Sequence, residues 1–480
     1  MLVPWSSRSR RAPLVVAVVV ALLALVVPLA GEGGAQEDEV VAPPASTPVL
    51  SARRVPGLVQ GAVAGPALAA AVEGTIDRNP ETWCFVAEDA GRPVVTVNPD
   101  LPLAPASVTK LFTATALLEH FGPDHTLRTV LAAAQPAVDG VIDGDLYLVG
   151  GGDPLWATSG YAQSFDDPAN PWVDAGLIAD ALVDAGVREV RGNVVGDDSR
   201  HDGERWVASW PTRYRSDPSV GPISALNIND GFTGYVETPD QPNADRRAGD
   251  PPELAAQTLV TLLEQRGVAV GGGGVAGARP PDAVEVAGVD SRPMSELVGE
   301  MVLESDNNTA EMLVKELGLD RAGQGTTAAG LAEVVAVLDE LGLPTGDLGL
   351  KDGSGLDPEN RVTCGAVMAV LDHHGPDSLL SGSLAVAGQT GTLHRRMVGS
   401  PATGQVRAKT GTLNTVNALA GWADTSGARL TFVGLGNGND PRGNVAADRF
   451  ADALVSYPAA PPLAELGPSS PEPALVGPAE

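Results

Sequence analysis

Pro105-Ala106-Ser107-Val108-Thr109-Lys110 is the stretch that decides how this chain folds. Pro105 suits entry into a helix. Ser107–His120 reads as that helix, with Val108, Leu111, Phe112 and Leu118 on its apolar side and Thr115 interrupting the stripe. Residues three apart on a helix share a face, so Ser107 and Lys110 lie within reach of each other. A desolvated lysine can give up its proton and accept one from a serine hydroxyl, whereas arginine stays charged. The N–H groups at a helix start also stabilise negative charge that develops on the substrate. Only four lysines occur in the chain, Lys110, Lys315, Lys351 and Lys409, and arginine meets the other needs for positive charge. A lysine kept three residues after a serine therefore stands out, although Ser-x-x-Lys alone is a frequent chance match on a helix surface.

Two more groups change its weight. Ser305-Asp306-Asn307 falls between the predicted helices Met294–Glu304 and Thr309–Leu317, in a turn that can present Ser305 and Asn307 to a cleft. The same residue types are also ordinary helix caps. Lys409-Thr410-Gly411 ends the predicted strand Gln405–Thr410 and is followed by Thr412. A lysine on a strand edge is ordinarily protection against mispairing. In the functional reading Lys409 and Thr410 bind a substrate carboxylate, and Gly411 leaves room for substrate backbone along the strand. The Thr412 N–H then donates to an oxyanion.

Ser-x-x-Lys, Ser-x-Asn and Lys-Thr-Gly in this order resemble the motif set of penicillin-binding proteins and serine β-lactamases. From Ser107 to Ser305 is 198 residues (305 − 107), too long for the compact helical subdomain of a β-lactamase. That spacing resembles the D-alanyl-D-alanine carboxypeptidase/endopeptidases, the low-molecular-mass class C penicillin-binding proteins. Gly152-Asp153-Pro154, Ser224-Ala225-Leu226-Asn227, Asp352-Gly353-Ser354-Gly355-Leu356 and Ala408 through Leu413 are similar to that family too, across about residues 50–457, and the composition is most like its actinobacterial members. The resemblance implies an α/β (α+β) fold. Its transpeptidase/β-lactamase-like catalytic domain (50–130 and 294–457) is split by an inserted domain or pair of domains at 131–293. It implies Ser107 as acylated nucleophile, Lys110 as base and Ser305 as proton relay to the leaving amine. Asn307 holds the substrate amide, and Lys409 and Thr410 hold the terminal carboxylate. Peptidoglycan stem peptides ending in D-Ala-D-Ala are the implied substrates, and β-lactams the implied covalent inhibitors.

The rest of the chain sets the frame. With 480 residues and 43% hydrophobic content it can build two or three cores. A formal charge of −29 argues against nucleic acid and anionic lipid as electrostatic partners. Arg8, Arg10 and Arg11 precede the uncharged Leu14–Ala30, a secretory core or short anchor, so residues 1–35 are a signal peptide cleaved after Ala35 or a retained membrane contact. Either way the bulk of the chain lies outside the cytoplasm. Residues 36–49 read as a linker, and 458–480 as a disordered Pro-rich tail. Cys84 and Cys364 are either one disulfide or two buried thiols, and export favours the bridge. Neither Cys-x-x-Cys nor His-Glu-x-x-His is present, and no cofactor is expected.

Thr82–Ala87 and Pro93–Val97 read as a hairpin. Ala175–Ala185 and Glu253–Arg266 are helices leading into the strands Val187–Val195 and Val268–Val270. Thr326–Leu341, Val416–Ala423, Arg429–Leu435 and Asn444–Tyr457 complete a helix–strand–strand–helix ending. Gln389-Thr390-Gly391-Thr392-Leu393 echoes the Lys-Thr-Gly run without its cation and is expected to be structural, as are Lys315 and Lys351. His373-His374 reads as a solvated helix end. Two rivals remain: a non-catalytic wall-binding scaffold of the same fold, and a β-lactamase, for which the long insert is a poor match.

Overall fold

Ala90 and Gly91 both take positive φ (50° and 73°), the left-handed pair that closes a two-residue hairpin. They join β1 (Trp83–Asp89) to β2 (Arg92–Val97), as the apolar runs on either side predict. The computed structural model describes residues 82–165, 167–234, 246–438 and 443–457, with 65, 66, 68–72 and 74 ahead of them. The expected signal, linker and C-terminal tail lie outside the described residues.

The predicted helix at Ser107 begins differently from expectation. Ala106–Thr109 is a single tight 3-10 turn, entered through a left-handed Ala106 (φ 48°), and α1 runs Lys110–Phe121. Thr109 Oγ1 holds the Ala106 carbonyl at 2.9 Å and fixes the turn. Every residue from Lys110 to Leu117 is buried, so α1 runs through the core and the expected apolar stripe understates it. Thr115 satisfies its hydroxyl on the Leu111 carbonyl at 2.7 Å.

A second sheet region follows. In chain order it comprises β3 (Arg128–Ala133), β4 (Val141–Ile142), β5 (Leu146–Val149), β6 (Trp156–Ala157), β7 (Val173–Asp174), α2 (Gly176–Asp184), β8 (Glu189–Val190), β9 (Val194–Asp197), α3 (Pro251–Gln265), β10 (Ala269–Val270), β11 (Gly274–Ala276) and β12 (Val284–Asp290). The strands form sheets in the orders β10-β8-β4 and β11-β9-β5-β3-β12, with β6-β7 as a separate pair. Ile178 and Leu182 of α2 and Leu259 and Leu263 of α3 pack against Leu131, Leu146 and Val194. The strand expected across 187–195 is broken. At Arg191-Gly192-Asn193 the chain crosses from the three-stranded to the five-stranded sheet. A Cβ at Gly192 would sit 2.3 Å from Asp145 Oδ1, so only glycine passes there.

The last part carries α4 (Met294–Leu303), α5 (Asn307–Ala322), α6 (Thr327–Glu340), α7 (Cys364–His374), β13 (Ala385–Val386), β14 (Val406–Leu413), β15 (Val416–Asp424), β16 (Arg429–Asn437) and α8 (Gly443–Val455). Its strands join the N-terminal hairpin in one antiparallel sheet, β13-β14-β15-β16-β1-β2. One face packs Ala420, Trp422 and Val433 against α1, α4, α5 and α7. The other packs Phe85, Leu419 and Phe432 against Phe450 and Leu454 of α8. Each such buried large side chain contributes about 1.5–3 kcal/mol. Cys84 of β1 is bonded to Cys364 at the start of α7, 280 residues on.

β14 is longer than expected. Lys409-Thr410-Gly411 lies mid-strand, because the register with β15 continues without a break to Leu413–Val416 across the two-residue turn Asn414-Thr415. Among the described residues, no helix is long and apolar enough to cross a membrane.

Candidate active site

The left-handed Ala106 turns Ser107 out of α1 toward β14, and the two backbones touch where glycines allow it. A Cβ on Gly355 would lie 1.9 Å from the Ala106 carbonyl oxygen, and one on Gly411 would lie 2.5 Å from that of Pro105. Gly411 thus lets its strand press against the Ser107 turn, a reason separate from leaving room for substrate.

One turn into the helix, Lys110 is wholly buried. Its Nζ lies 3.3 Å from Ser107 Oγ, 2.6 Å from Asn307 Oδ1 and 2.7 Å from the Ser354 carbonyl. The last two are acceptors only, so they take two N–H groups, and the third position faces the serine oxygen. In the neutral amine that position is a lone pair, able to receive the Ser107 proton. Burial lowers the Lys110 pKa to about 8, although Asp306, Asp352, Glu311 and Glu300 pull it upward. At pH 7 about a tenth of the molecules then hold the amine unprotonated.

Ser305 takes a left-handed φ of 66°, a strained conformation for serine that turns it off the end of α4. Asp306 caps α5 by accepting the Thr309 N–H at 2.7 Å, so the capping role and the cleft-facing role fall on different residues of one triplet. Asn307, first in α5, accepts from Lys110 and donates its Nδ2 to the Ser219 carbonyl at 2.7 Å. Lys409 Nζ donates to Ser305 Oγ at 2.9 Å and to the Thr410 carbonyl at 3.1 Å. Burial, with the Lys110 charge behind it, pushes the Lys409 pKa well below the usual lysine range.

The ladder fixes what β14 offers. Residues flanking a two-residue hairpin exchange both hydrogen bonds, so Leu413, Gly411 and Lys409 bond to β15. The N–H and C=O groups of Thr410 and Thr412 then point to the opposite edge. There β13 pairs only with Arg407 and Ala408, leaving Lys409–Leu413 open to an added extended peptide. Thr412 is exposed at the lip of this edge.

A family model described as the "D-Ala-D-Ala carboxypeptidase 3 (S13) family" matches residues 68–245 and 236–459. The chain belongs to that family. As an S13 member it is a serine-type peptidase. The D-alanyl-D-alanine carboxypeptidase of Actinomadura sp. (strain R39) is 32% identical over 467 residues, spanning 82% of each chain. Carboxypeptidase DacB of Mycolicibacterium smegmatis is 31% identical over 474 residues, 92% of this chain and 96% of that one. The fold matches the crystal structure of penicillin binding protein 4 from Haemophilus influenzae with a TM-score of 0.66, at 20% identity, over 80% of this chain and 98% of that one.

Several groups in the S13 site escaped the sequence motifs. The Ser354 carbonyl is one. Glu311 Oε1 holds the Gly353 and Ser354 N–H groups at 3.1 and 2.8 Å, aiming that carbonyl at Lys110. Burial, then the Asp352 charge, lifts the Glu311 carboxyl to about 7. Thr392 is another: its Oγ1 lies 2.9 Å from Thr410 Oγ1. The Gln389–Leu393 echo lacks a cation, yet its Thr392 hydroxyl reaches the site. The segment 198–232 supplies the Ser219 carbonyl, and Trp210 and Tyr214 brace the Asp352–Leu356 turn through Asp352 Oδ2 (2.7 Å) and the Leu356 carbonyl (2.9 Å).

Lys315 is buried and paired with Asp202, away from Ser107, in keeping with a structural role. His374 is less solvated than expected. It is half-buried, bonded to Thr115 Oγ1 at 2.9 Å, and lowered to about 4 by burial and by His373. With His373 and Glu119 it forms a group whose ligand atoms lie within 4.8 Å of one another, at helix ends outside the S13 cleft.

Proposed function

We propose that the chain hydrolyses peptidoglycan stem peptides at the D-Ala-D-Ala bond through an ester on Ser107. The observation that carries this is the buried Lys110 amine, 3.3 Å from Ser107 Oγ, with its other contacts filled by acceptors. Ser107 Oγ attacks the carbonyl carbon of the penultimate D-Ala, and its proton passes to Lys110 Nζ. The outward Thr412 N–H stabilises the oxyanion, and the substrate backbone lies along the open edge of β14. Lys409 and Thr410 hold the terminal carboxylate. Ser305, bonded to Lys409, passes a proton to the departing amine, the proton taken up by Lys110 replaces it on Ser305, and D-Ala leaves. Water then adds to the ester with Lys110 again taking the proton, which frees Ser107. Asn307 reaches the substrate amide by loosening its bond to the Ser219 carbonyl.

In this reading residues 50–130 and 294–457 are the catalytic domain and 131–293 the insert. The family's cell-wall chemistry takes place outside the cytoplasm. Residues 1–35 deliver the chain there, either cleaved after Ala35 or retained as an anchor, which the N-terminal mass of the exported protein decides.

Intact mass spectrometry after brief incubation with benzylpenicillin tests the site. One adduct of the drug's mass, absent in Ser107→Ala, is expected. Folded protein that takes no adduct would return the chain to the scaffold reading.

A further inference from the structure

Away from the cleft, two helices end side by side. α1 closes at Phe121 and α7 at His374, and their last turns bring Glu119, His373 and His374 together. A carboxylate oxygen of Glu119 and one nitrogen of each ring all lie within 4.8 Å of one another. Glu119 and His373 are exposed, and the two rings stand at 82° with centroids 5.1 Å apart. The carbonyls at a helix C-terminus carry partial negative charge, and here two such ends coincide, which favours a cation between them.

Hydrogen bonds set the tautomer of His374. Thr115, one turn before Glu119 on the same face of α1, gives its only proton to the Leu111 carbonyl at 2.7 Å. Its oxygen, 2.9 Å from His374 Nε2, can therefore only accept there. Nε2 then carries the proton of the neutral ring, and the lone pair stays on Nδ1. Proteins orient an imidazole for metal by holding its other nitrogen in this way, and Thr115 is itself fixed in the buried length of α1. His373 Nε2 stands 3.1 Å from Glu119 Oε1, a pair bridged by a proton that a metal ion displaces.

We propose that Glu119, His373 and His374 bind a divalent cation of the Zn²⁺ class, as a structural staple between the ends of α1 and α7. Two imidazoles with one carboxylate suit Zn²⁺, whereas Mg²⁺ and Ca²⁺ take oxygen ligands. Tetrahedral bonds of about 2.0–2.2 Å put ligand atoms roughly 3.3 Å apart, a closure that the exposed His373 and Glu119 side chains make by rotating. Water fills the fourth position. α7 is then held at both ends, to β1 by the Cys84–Cys364 bond and to α1 by the ion. Glu119 lies nine residues (119 − 110) beyond Lys110. That is about 14 Å along the helix, so the ion takes no part in the acyl chemistry.

The test uses the untagged full chain, stripped with a chelator and titrated with zinc sulfate by calorimetry. Tm is followed in parallel, with magnesium chloride for comparison and benzylpenicillin acylation as a check on the cleft. One Zn²⁺ per chain is expected, with Tm raised by about 2–4 °C at a hundredfold excess over Kd, and Mg²⁺ should not raise it. His373→Ala and Glu119→Gln should each weaken binding by roughly tenfold or more and shrink the rise in Tm, with acylation changed by less than about twofold. His374→Ala also loses the Thr115 bond, so imidazole NMR of the wild type supplies the reading for that ring. Zn²⁺ should shift the His373 and His374 resonances and leave those of His125 and His394 in place. Absence of binding, binding unchanged in both variants, an equal response to Mg²⁺, or shifts confined to other histidines would each overturn the proposal.

Discussion

An amine that gives up its proton near pH 8 makes acylation a titration of Lys110. Burial lowers this pKa, so the working neutral form grows as pH rises. The rate of penicillin acylation should climb about tenfold per unit below pH 8 and level off above it. A flat profile from pH 6 to 9 would remove Lys110 as the base. Lys110→Arg keeps the charge and loses the titration, so it should cost about 10²–10⁴ in acylation rate while leaving the fold able to melt cooperatively. Glycines offer a second test. Gly355 takes φ +86° and stands against the Ala106 carbonyl, whereas Gly375 takes φ +73° beside open space. Both alanine variants bear the left-handed strain of about 1 kcal/mol. Only Gly355→Ala should also displace the Ser107 turn, costing about 2–4 kcal/mol by thermal melting and abolishing the penicillin adduct.

At the scale of elements, β14 is both structural and exposed. Proline at position 412 removes an N–H that points to the open edge and spares the ladder to β15, and edge positions tolerate proline. Thr412→Pro should therefore lower acylation by about 10²–10³ with only a small shift in Tm. A large loss of stability would mean that this N–H serves the sheet. Period and caps made most elements legible: the 90–91 hairpin, the helices from 251, 294 and 327, and the last two strands begin within a few residues of expectation. The misses share a cause. The strand expected at 187–195 breaks at Gly192, and the helix expected at Ser107 opens with a 3-10 turn, because tertiary neighbours set the backbone there. The motifs named Ser107, Lys110, Ser305, Asn307 and Lys409, which the fold brings into two hydrogen-bonded groups, Ser107–Lys110–Asn307 and Ser305–Lys409. The Asp352–Leu356 stretch is legible as family-like, but not which of its backbone groups meets Lys110, and the Ser219 carbonyl carries no side-chain signature at all.

Across the whole molecule, the Cys84–Cys364 bond ties the first strand to the helical layer over 280 residues. Chain-entropy arguments put the stabilisation from a loop of that size at about 5 kcal/mol. The Cys84→Ser/Cys364→Ser pair should accordingly melt several degrees lower, and reductant should lower the wild type toward it but leave the double variant unchanged. The strand order β13-β14-β15-β16-β1-β2 has a consequence in time. A chain synthesised N-terminus first presents β1 and β2 early, but β1's other neighbour and the strand bearing Lys409 arrive only near the end. Until then Ser107 has no edge beside it and Lys110 no closed pocket in which to shed its proton. Ser107 is thus left without its partners until the last strands are made, and an interrupted or truncated chain cannot assemble the site.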